Sequence, residues 1–469
     1  MIAGALVALS FAYYSLLSSK TYTWLFASGD SGDWLASFQT WLVPQPYGSP
    51  LYIVLGQFLN LFPGDLVIKS TILLSCLPAA ITVGIVYLIL KTYVDRKYAI
   101  IGTLSLIPAG VFLTQATILE EYSLAVMFVT LAFYFYVNGR RSLTVISLGL
   151  GTAVHIIPLI ISLLWFAVHL KEWKAWVKQI PLYVLFGVAP YLLTLYLFTV
   201  DVPQLMAGGS LTFDAINSYL GSTTVAFTIV PIEFPERVLG FVTILLLSYG
   251  VLWYPAVKGL NSWTLTQKTL IVTIVFSFWY YLTCFDPTTW TFMIYAFPFI
   301  SIFIGIGLSK LPKIHSNIAL IFISLMMVAN GLFLNANIET NRNPQATMLY
   351  DKINAIPDNS VIISPRGGPD FMATMYAYTS GKEFIPLYYS ENDYWNDALY
   401  QNYLTWVTSE YDIEGYNVQS LTKNALSRGY DVYIIAPIVP WWDGVFDTGE
   451  YINPGLDGEH DIVRVYGVY

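Results

Sequence analysis

The sequence predicts an α-helical polytopic membrane protein with about 11 transmembrane helices and a C-terminal extracytoplasmic α/β domain. The membrane body is indicated by composition, because 56% of the 469 residues are hydrophobic and only 11% are charged. Mean hydropathy is +0.59, whereas soluble domains carry about 25% charged residues. The tail is indicated by charge, because residues 1–334 hold 15 Lys and Arg against 12 Asp and Glu, while residues 335–469 hold 7 against 18. The net charges of +3 and −11 predict two domains, 1–334 and 335–469.

Apolar segments close to membrane-crossing length recur along the first domain. They lie at 2–18, 66–90, 98–116, 121–138, 142–156, 157–170, 179–199, 237–257, 268–284, 289–308 and 316–334. Basic residues fall in alternate short loops, at 91–97, 140–141, 171–178, 258–268 and 310–313. The positive-inside rule places these loops in the cytoplasm. The acid-rich loops and the tail then face outward, across a plasma membrane or an endoplasmic reticulum membrane.

Charge and cysteine content exclude some classes of partner and site. The acidic tail argues against nucleic acid as a partner, and the membrane body requires lipids around it. Cys76 and Cys284 are the only cysteines and both lie in apolar segments. No disulfide framework or thiolate metal site is therefore predicted.

The tail shows alternating strand and helix patterns. Strands are predicted at 360–364, 384–387 and 431–436, and helices at 345–356, 370–380 and 418–428. Pro and Gly residues lie at the joins between them. This order predicts the α/β domain.

The first outer loop, ASGDSGDWLASFQTWLVPQPYGSPLYIVLGQF, begins with two acids three residues apart, Asp30 and Asp33. They would share one face at the start of an amphipathic surface helix. The apolar face of that helix comprises Trp34, Leu35, Phe38, Trp41 and Leu42. The acids are equally compatible with a purely structural role, Asp30 as an N-cap and Asp33 near the positive end of the helix dipole. Residues 50–62 are too short to span and predict a re-entrant or outer-loop helix.

Glu120 and Glu121 occur where the third apolar segment reaches the outer face. An acid within a span costs about 2.5–3.5 kcal/mol, so two adjacent acids need a reason. They could favour the N-terminus of the next helix. Together with the acids of the first loop, they also have the layout of an extracytoplasmic acid/base site.

His155 and Arg237 are two further polar residues predicted at the outer side. His155 lies between two short apolar segments, where a histidine is usually a hydrogen-bonded core residue. Arg237 begins an apolar segment from the outer side. It could reach lipid headgroups, or it could hold a lipid phosphate with a bidentate fork.

Three motifs resemble those of the GT-C type transmembrane glycosyltransferases, in particular the DUF2723 group that includes the eukaryotic transmembrane protein O-mannosyltransferase. They are GDSGD followed by QPYGSPL, at 29–33 and 45–51, LEEYSL at 119–124 and GLGTAVH at 149–155. The motifs occur in the family's order. The chain departs from the family at Gln45, which replaces a histidine, at Asp33, which replaces a glutamate, and at Val154, which replaces an asparagine.

This resemblance implies a GT-C fold and transfer of a sugar, with mannose expected, from a polyprenyl phosphate to a hydroxyl of a protein or an envelope glycan. Asp30 would be the general base, with Asp33 and Glu120 beside it, and His155 and Arg237 would bind the donor phosphate. Further candidates from the same loops are Glu121, Gln45 and Tyr47. The lipid-linked donor is a substrate, no cofactor is implied with certainty, and no metal site is indicated.

The main alternative is a membrane transporter or a lipid or polysaccharide flippase without transferase activity. Such a protein would be expected to have paired repeats and polar residues near the middle of its spans, whereas the acids here cluster at the outer edge. A catalytically inactive member that binds acceptors would keep the same fold. Closeness of Asp30 to Glu120 would favour the enzyme.

Overall fold

The computed structural model of this chain describes the membrane body and parts of the tail. The described residues are 1–18, 31, 34, 38, 49–64, 66–193, 234–260, 264–283, 290–340, 355–357, 360–365, 383–387, 418–436, 446–451 and 461–468. The predicted tail helix at 370–380 and most of the one at 345–356 lie outside them.

The body is built from helices that follow the predicted apolar segments. They are α1 (Ile2–Leu17), α2 (Pro50–Asn60), α3 (Leu66–Leu90), α4 (Arg96–Leu104), α5 (Gly110–Thr117), α6 (Tyr122–Val137), α7 (Arg141–Val154), α8 (Ile157–Val168), α9 (Trp173–Val177), α10 (Ile180–Leu193), α11 (Phe234–Tyr249), α12 (Trp253–Gly259), α13 (Leu265–Thr283), α14 (Phe297–Ser309) and α15 (Lys313–Thr340). The predicted re-entrant segment is the helix α2.

Four helices within the described residues are long and apolar enough to cross a membrane: Leu66–Leu90, Val238–Gly259, Thr291–Ser309 and Lys313–Phe333. Two sharply bent helix pairs, α5 with α6 and the segment Leu170–Val177 with α10, bring the number to six if each pair is one crossing. Three shorter apolar helices are α1, α7 and α8. The chain therefore has the helical architecture of a polytopic membrane protein, while the total of about eleven crossings stays a prediction.

Two of the loops predicted as cytoplasmic, at 140–141 and 171–178, share one end of the helices. Arg141, at the start of α7, forms an ion pair with Glu172, which follows α8. His169 Nε2 lies 2.7 Å from the hydroxyl of Tyr136 near the end of α6, and Ser142 Oγ lies 2.9 Å from Gln179 Oε1. The acids that begin α6 and the residues that end α7 lie at the other end. This separation agrees with the alternation of charge in the sequence.

The tail contains a five-stranded sheet. Its strands are β1 (Ser360–Pro365), β2 (Glu383–Leu387), β3 (Asp431–Ala436), β4 (Phe446–Tyr451) and β5 (Asp461–Val468), in the order β2-β1-β3-β5-β4. The strand β1 is parallel to β2 and β3, and β5 is antiparallel to β3 and β4. A helix, α16 (Val418–Ser427), precedes β3. The predicted strands and the predicted helix at 418–428 are present.

Two strands, β4 and β5, were not predicted. The sequence of β5, DIVRVYGV, carries an alternating signal: Val465 is buried while its neighbour Tyr466 is exposed, as expected for a strand with one solvated face. The sequence of β4, FDTGEY, contains Asp and Gly, which are depleted in strands. Its pairing with β5 is irregular, with register shifts around Thr448.

The side of the membrane on which the tail lies is testable with sealed vesicles. We expect residues 345–469 to be protected from protease added to the cytoplasmic face. The positive-inside rule places the basic loop at 310–313 in the cytoplasm, and the predicted span at 316–334 separates that loop from the tail. Cleavage is expected once the vesicles are opened with detergent. Digestion of the tail in intact vesicles that expose the cytoplasmic face would contradict the orientation.

Candidate active site

The acids Glu120 and Glu121 lie in a sharp turn between α5 and α6. The two helices are bent by 119° relative to each other, because Ile118 leaves α5 in an extended conformation, with φ −117° and ψ 161°. Glu121 is the N-cap residue of α6, and its carbonyl accepts the Ala125 N–H at 3.0 Å. The two glutamates are only 2% and 0% exposed. Burial of two carboxylates is costly, and such positions within membrane proteins are usually functional.

Ser75 holds this turn from α3. Its Oγ donates to the Glu120 carbonyl at 3.2 Å and accepts the Glu120 N–H at 3.4 Å. Ser75 belongs to a π-helical segment, Thr71–Cys76, within α3. Such insertions are rare and occur frequently at functional sites. The backbone on which Glu120 is mounted is therefore fixed by a distant part of the chain.

Ser31 brings the first outer loop to the same turn. Its Oγ donates to the carbonyl of Leu119 at 2.9 Å, and Leu119 immediately precedes Glu120. Asp30, the neighbour of Ser31 in sequence, lies outside the described residues. The closeness of the Asp30 and Glu120 carboxylates stays a prediction, and the Ser31 contact supports it.

Aromatic packing seats the first loop on α2. Ser31, Trp34 and Phe38 have helical conformation, at the spacing of one helix face. The rings of Trp34 and Phe38 pack edge-on against Tyr52 of α2, with centroids 5.2 and 5.4 Å apart. All three aromatic side chains are buried. The apolar face predicted for this helix thus contacts the protein, rather than the membrane surface, at Trp34 and Phe38.

Tyr52 also links this packing to the acid turn. Its helix is too short to cross a membrane. Burial, together with the nearby charges of Glu121 and Glu120, raises the pKa of the Tyr52 phenol well above its ordinary value. Tyr52 therefore remains a neutral phenol close to both carboxylates. Tyr52 was not predicted as a site residue, since no local sequence pattern distinguishes it from the other tyrosines among the 35 of the chain.

His155 faces the same turn from the junction of α7 and α8. Its Nε2 lies 3.8 Å from Glu121 Oε1, and both side chains are buried. Its Nδ1 lies 3.3 Å from the backbone N–H of Ile157 and 3.3 Å from the hydroxyl of Tyr295. The structure thus brings together three predicted residues, Glu120, Glu121 and His155, with Ser31 of the first loop.

The remaining predicted site residues are not placed by the structure. Asp30, Asp33, Gln45 and Tyr47 lie outside the described residues. Arg237 lies within α11, but its side chain is outside the described part of the chain. Their proposed roles stay predictions. No group of three or more His, Cys, Asp and Glu side chains suited to a metal ion occurs within the described residues.

The fold is shared with solved membrane glycosyltransferases. ArnT from Cupriavidus metallidurans, solved with bound undecaprenyl phosphate, matches with a TM-score of 0.69 at 11% identity. The match covers 98% of this chain and 97% of that one. The oligosaccharyltransferase of Archaeoglobus fulgidus, in its apo form, matches with a TM-score of 0.51 at 12% identity, over 98% of this chain and 74% of that one.

These similarities show the fold, and the fold is the GT-C type predicted from the motifs. Because the sequence identities are only 11–12%, the similarities show a shared fold alone. No family profile matches the sequence, so the DUF2723 group is not shown. No curated protein matches it either.

Proposed function

We propose that this protein is an inverting glycosyltransferase. It moves a sugar, with mannose expected, from a polyprenyl-phosphate donor to a hydroxyl of a protein or an envelope glycan on the outer or lumenal side. The observation that carries the proposal is the bond from Ser31 to Leu119, which joins the first-loop acid motif to the buried glutamate turn. The shared fold supports the donor class, because ArnT was solved with undecaprenyl phosphate, and AglB of Archaeoglobus fulgidus, with a TM-score of 0.50, was solved with a dolichol-phosphate.

The chemistry assigned to the site is a single displacement. The acceptor oxygen attacks the anomeric carbon, and Asp30 takes the hydroxyl proton as general base, a role typically worth about 10²–10⁴-fold. The bond between the anomeric carbon and the phosphate oxygen breaks, and prenyl phosphate leaves with the electron pair. Attack opposite to the leaving group inverts the anomeric configuration.

The leaving phosphate needs stabilisation of its charge rather than a proton. Arg237 is assigned to this role, because a guanidinium can hold two phosphate oxygens at once. Asp33 and Glu120 are assigned to the acceptor side, near the base. Gln45 and Tyr47 are assigned to the wall of the first loop. The tail is assigned to acceptor selection over the outer loops.

The proposal is tested by incubating the purified protein in lipid with a panel of prenyl-phosphate sugars and with Ser/Thr peptides or short oligosaccharides as acceptors. Prenyl-phosphate release and the anomeric configuration of the product are followed. We expect release with at least one donor and an inverted product. A retained configuration would contradict single displacement, and release with none of the donor and acceptor pairs would contradict the transferase.

A further inference from the structure

We propose that His155 is a positioning residue that holds Glu121 and thereby fixes the turn carrying Glu120, instead of touching the donor phosphate. Its kinetic consequence rests on the proposed function. Glu121, His155 and Tyr295 form a buried row that joins the α5–α6 turn, the α7–α8 junction and the segment before α14. We call this row the buried relay.

The hydrogen bonds at His155 decide which ring nitrogen carries the proton. A backbone N–H can only donate, so the bond from Ile157 to Nδ1 requires that Nδ1 has no proton. The Tyr295 hydroxyl must then donate to Nδ1 as well. In the neutral ring the proton is therefore on Nε2, the nitrogen that lies 3.8 Å from Glu121 Oε1. At 3.8 Å the Nε2–H attracts the carboxylate charge over a distance longer than a hydrogen bond, and the two donors on the other side share the single lone pair of Nδ1.

Packing around the imidazole leaves both nitrogens facing protein groups. The ring centroid lies 5.0 Å from that of Tyr122 and 6.0 Å from that of Phe292. His155 is only 1% exposed. A direct phosphate ligand would need a ring nitrogen open to the donor. In the described part of the site, both nitrogens are directed at Glu121, Ile157 and Tyr295.

The position of Glu121 in the turn explains how His155 could affect catalysis. The backbone on either side of the acids is already bonded, with Leu119 held by Ser31 and Glu120 held by Ser75. The contact of Glu121 Oε1 with the neutral imidazole, 3.8 Å from Nε2, restrains the next residue, Glu121. Glu120 thus projects from a turn held by three other parts of the chain. Loss of the His155 contact would loosen one of these three attachments.

The test compares four variants: His155→Leu, His155→Gln, Glu121→Gln and the double variant His155→Leu/Glu121→Gln. Leucine removes the N–H, whereas glutamine can return an N–H donor to the position of Nε2. We expect His155→Leu to lower kcat about 10-fold or more while donor KM changes less than about 3-fold, since positioning is lost but donor contacts remain. His155→Gln should recover most of kcat. A rise in donor KM at unchanged kcat in both His155 variants would overturn the proposal in favour of phosphate binding.

The double variant tests whether His155 acts through Glu121. Residues that act as a unit show non-additive effects, so the double variant should turn over no more slowly than the worse single variant. Multiplied losses would show independent roles and contradict the relay. His169→Leu is the matched control, because His169 is equally buried and bonded to Trp165 and Tyr136 at the opposite end of the helices. The double variant His169→Leu/Glu121→Gln should lower turnover by the product of the two single-variant losses.

A second readout does not depend on the proposed function. The Tm values of the same variants are measured without substrate. The shifts in Tm should be non-additive for the His155 and Glu121 substitutions and additive for the His169 and Glu121 substitutions. If the wild type transfers no sugar, the transferase proposal fails while the unfolding cycle still tests the relay. Additive shifts in Tm for the His155 and Glu121 variants would contradict it. If His155→Leu does not fold, the same cycle with His155→Phe decides, because phenylalanine also lacks the N–H donor and can keep the packing against Tyr122 and Phe292.

Discussion

Asp30→Asn is expected to lower sugar transfer by about 10²-fold or more at saturating donor. Asparagine keeps the size of the side chain and most of its ability to cap a helix, so folding should be nearly unchanged while the proton acceptor is lost. The measurement is donor-saturated turnover in one lipid mixture, with thermal unfolding of the same preparations. The expectation rests on the first-loop motif and on Ser31, which docks beside Glu120.

Two other variants serve as comparisons for Asp30. Asp33→Asn should lower turnover less than Asp30→Asn does if Asp33 mainly interacts with the helix dipole, an effect of about 0.3–1 kcal/mol. Arg237→Gln should instead raise the donor concentration needed, because the lipid phosphate would lose a partner. Wild-type turnover of Asp30→Asn would remove the general-base assignment and leave Glu120 as the next candidate.

Gly56→Ala is expected to lower turnover by about 10²-fold without unfolding the membrane helices, because a displacement of about 1 Å in a catalytic group can have that effect. Gly56 lies on α2, where a Cβ would overlap the ring of Phe38. Phe38 is buried against Tyr52, so we expect relief of the overlap to shift Phe38 and α2 apart and to displace the first loop, which carries Asp30. Turnover and thermal unfolding are measured together.

Gly4→Ala is the matched control for this variant. It adds the same methyl group to a helix, at a position where a Cβ meets nothing within 4 Å. We expect turnover to stay at the wild-type value there, and stability to stay constant or rise by up to about 1 kcal/mol. Equal turnover in both variants would mean that the packing of Phe38 against α2 does not determine the position of Asp30.

Features with a local pattern were predictable from the sequence. The apolar segments follow from hydropathy alone, which is why α3, α6 and α15 lie where they were predicted. Glu120 and Glu121 stood out because acids in an apolar stretch are costly. Trp34 and Phe38 fell on the buried face of their helix because helical spacing identifies a face. The strand β3 was readable from its run of apolar residues.

Features that depend on contacts between distant residues were not predictable. Ser75 lies 45 residues from Glu120 in sequence and reaches it from a π-helical segment that no local pattern indicates. Tyr295 lies 140 residues from His155. The phosphate-binding role of His155 was implied by the family resemblance and stays untested, whereas its hydrogen bonds with Ile157 and Tyr295 are visible only in the fold. The strand β4 mixes strand-favouring residues with Asp447, Gly449 and Glu450, and its pairing with β5 is visible only in the fold.

The central claim, that the outer site cleaves a lipid-linked sugar instead of moving it across the membrane, is tested most directly in proteoliposomes. The protein is reconstituted with a prenyl-phosphate sugar labelled on both the lipid and the sugar, and acceptor is added on the side of the tail. Cleavage of the donor and movement of the intact lipid between leaflets are measured together. We predict that the labels separate, with the sugar on the acceptor and the prenyl phosphate left in the membrane, and that Asp30→Asn slows the separation by about 10²-fold or more. Movement of the intact donor between leaflets without separation of the labels would contradict the transferase and favour a flippase.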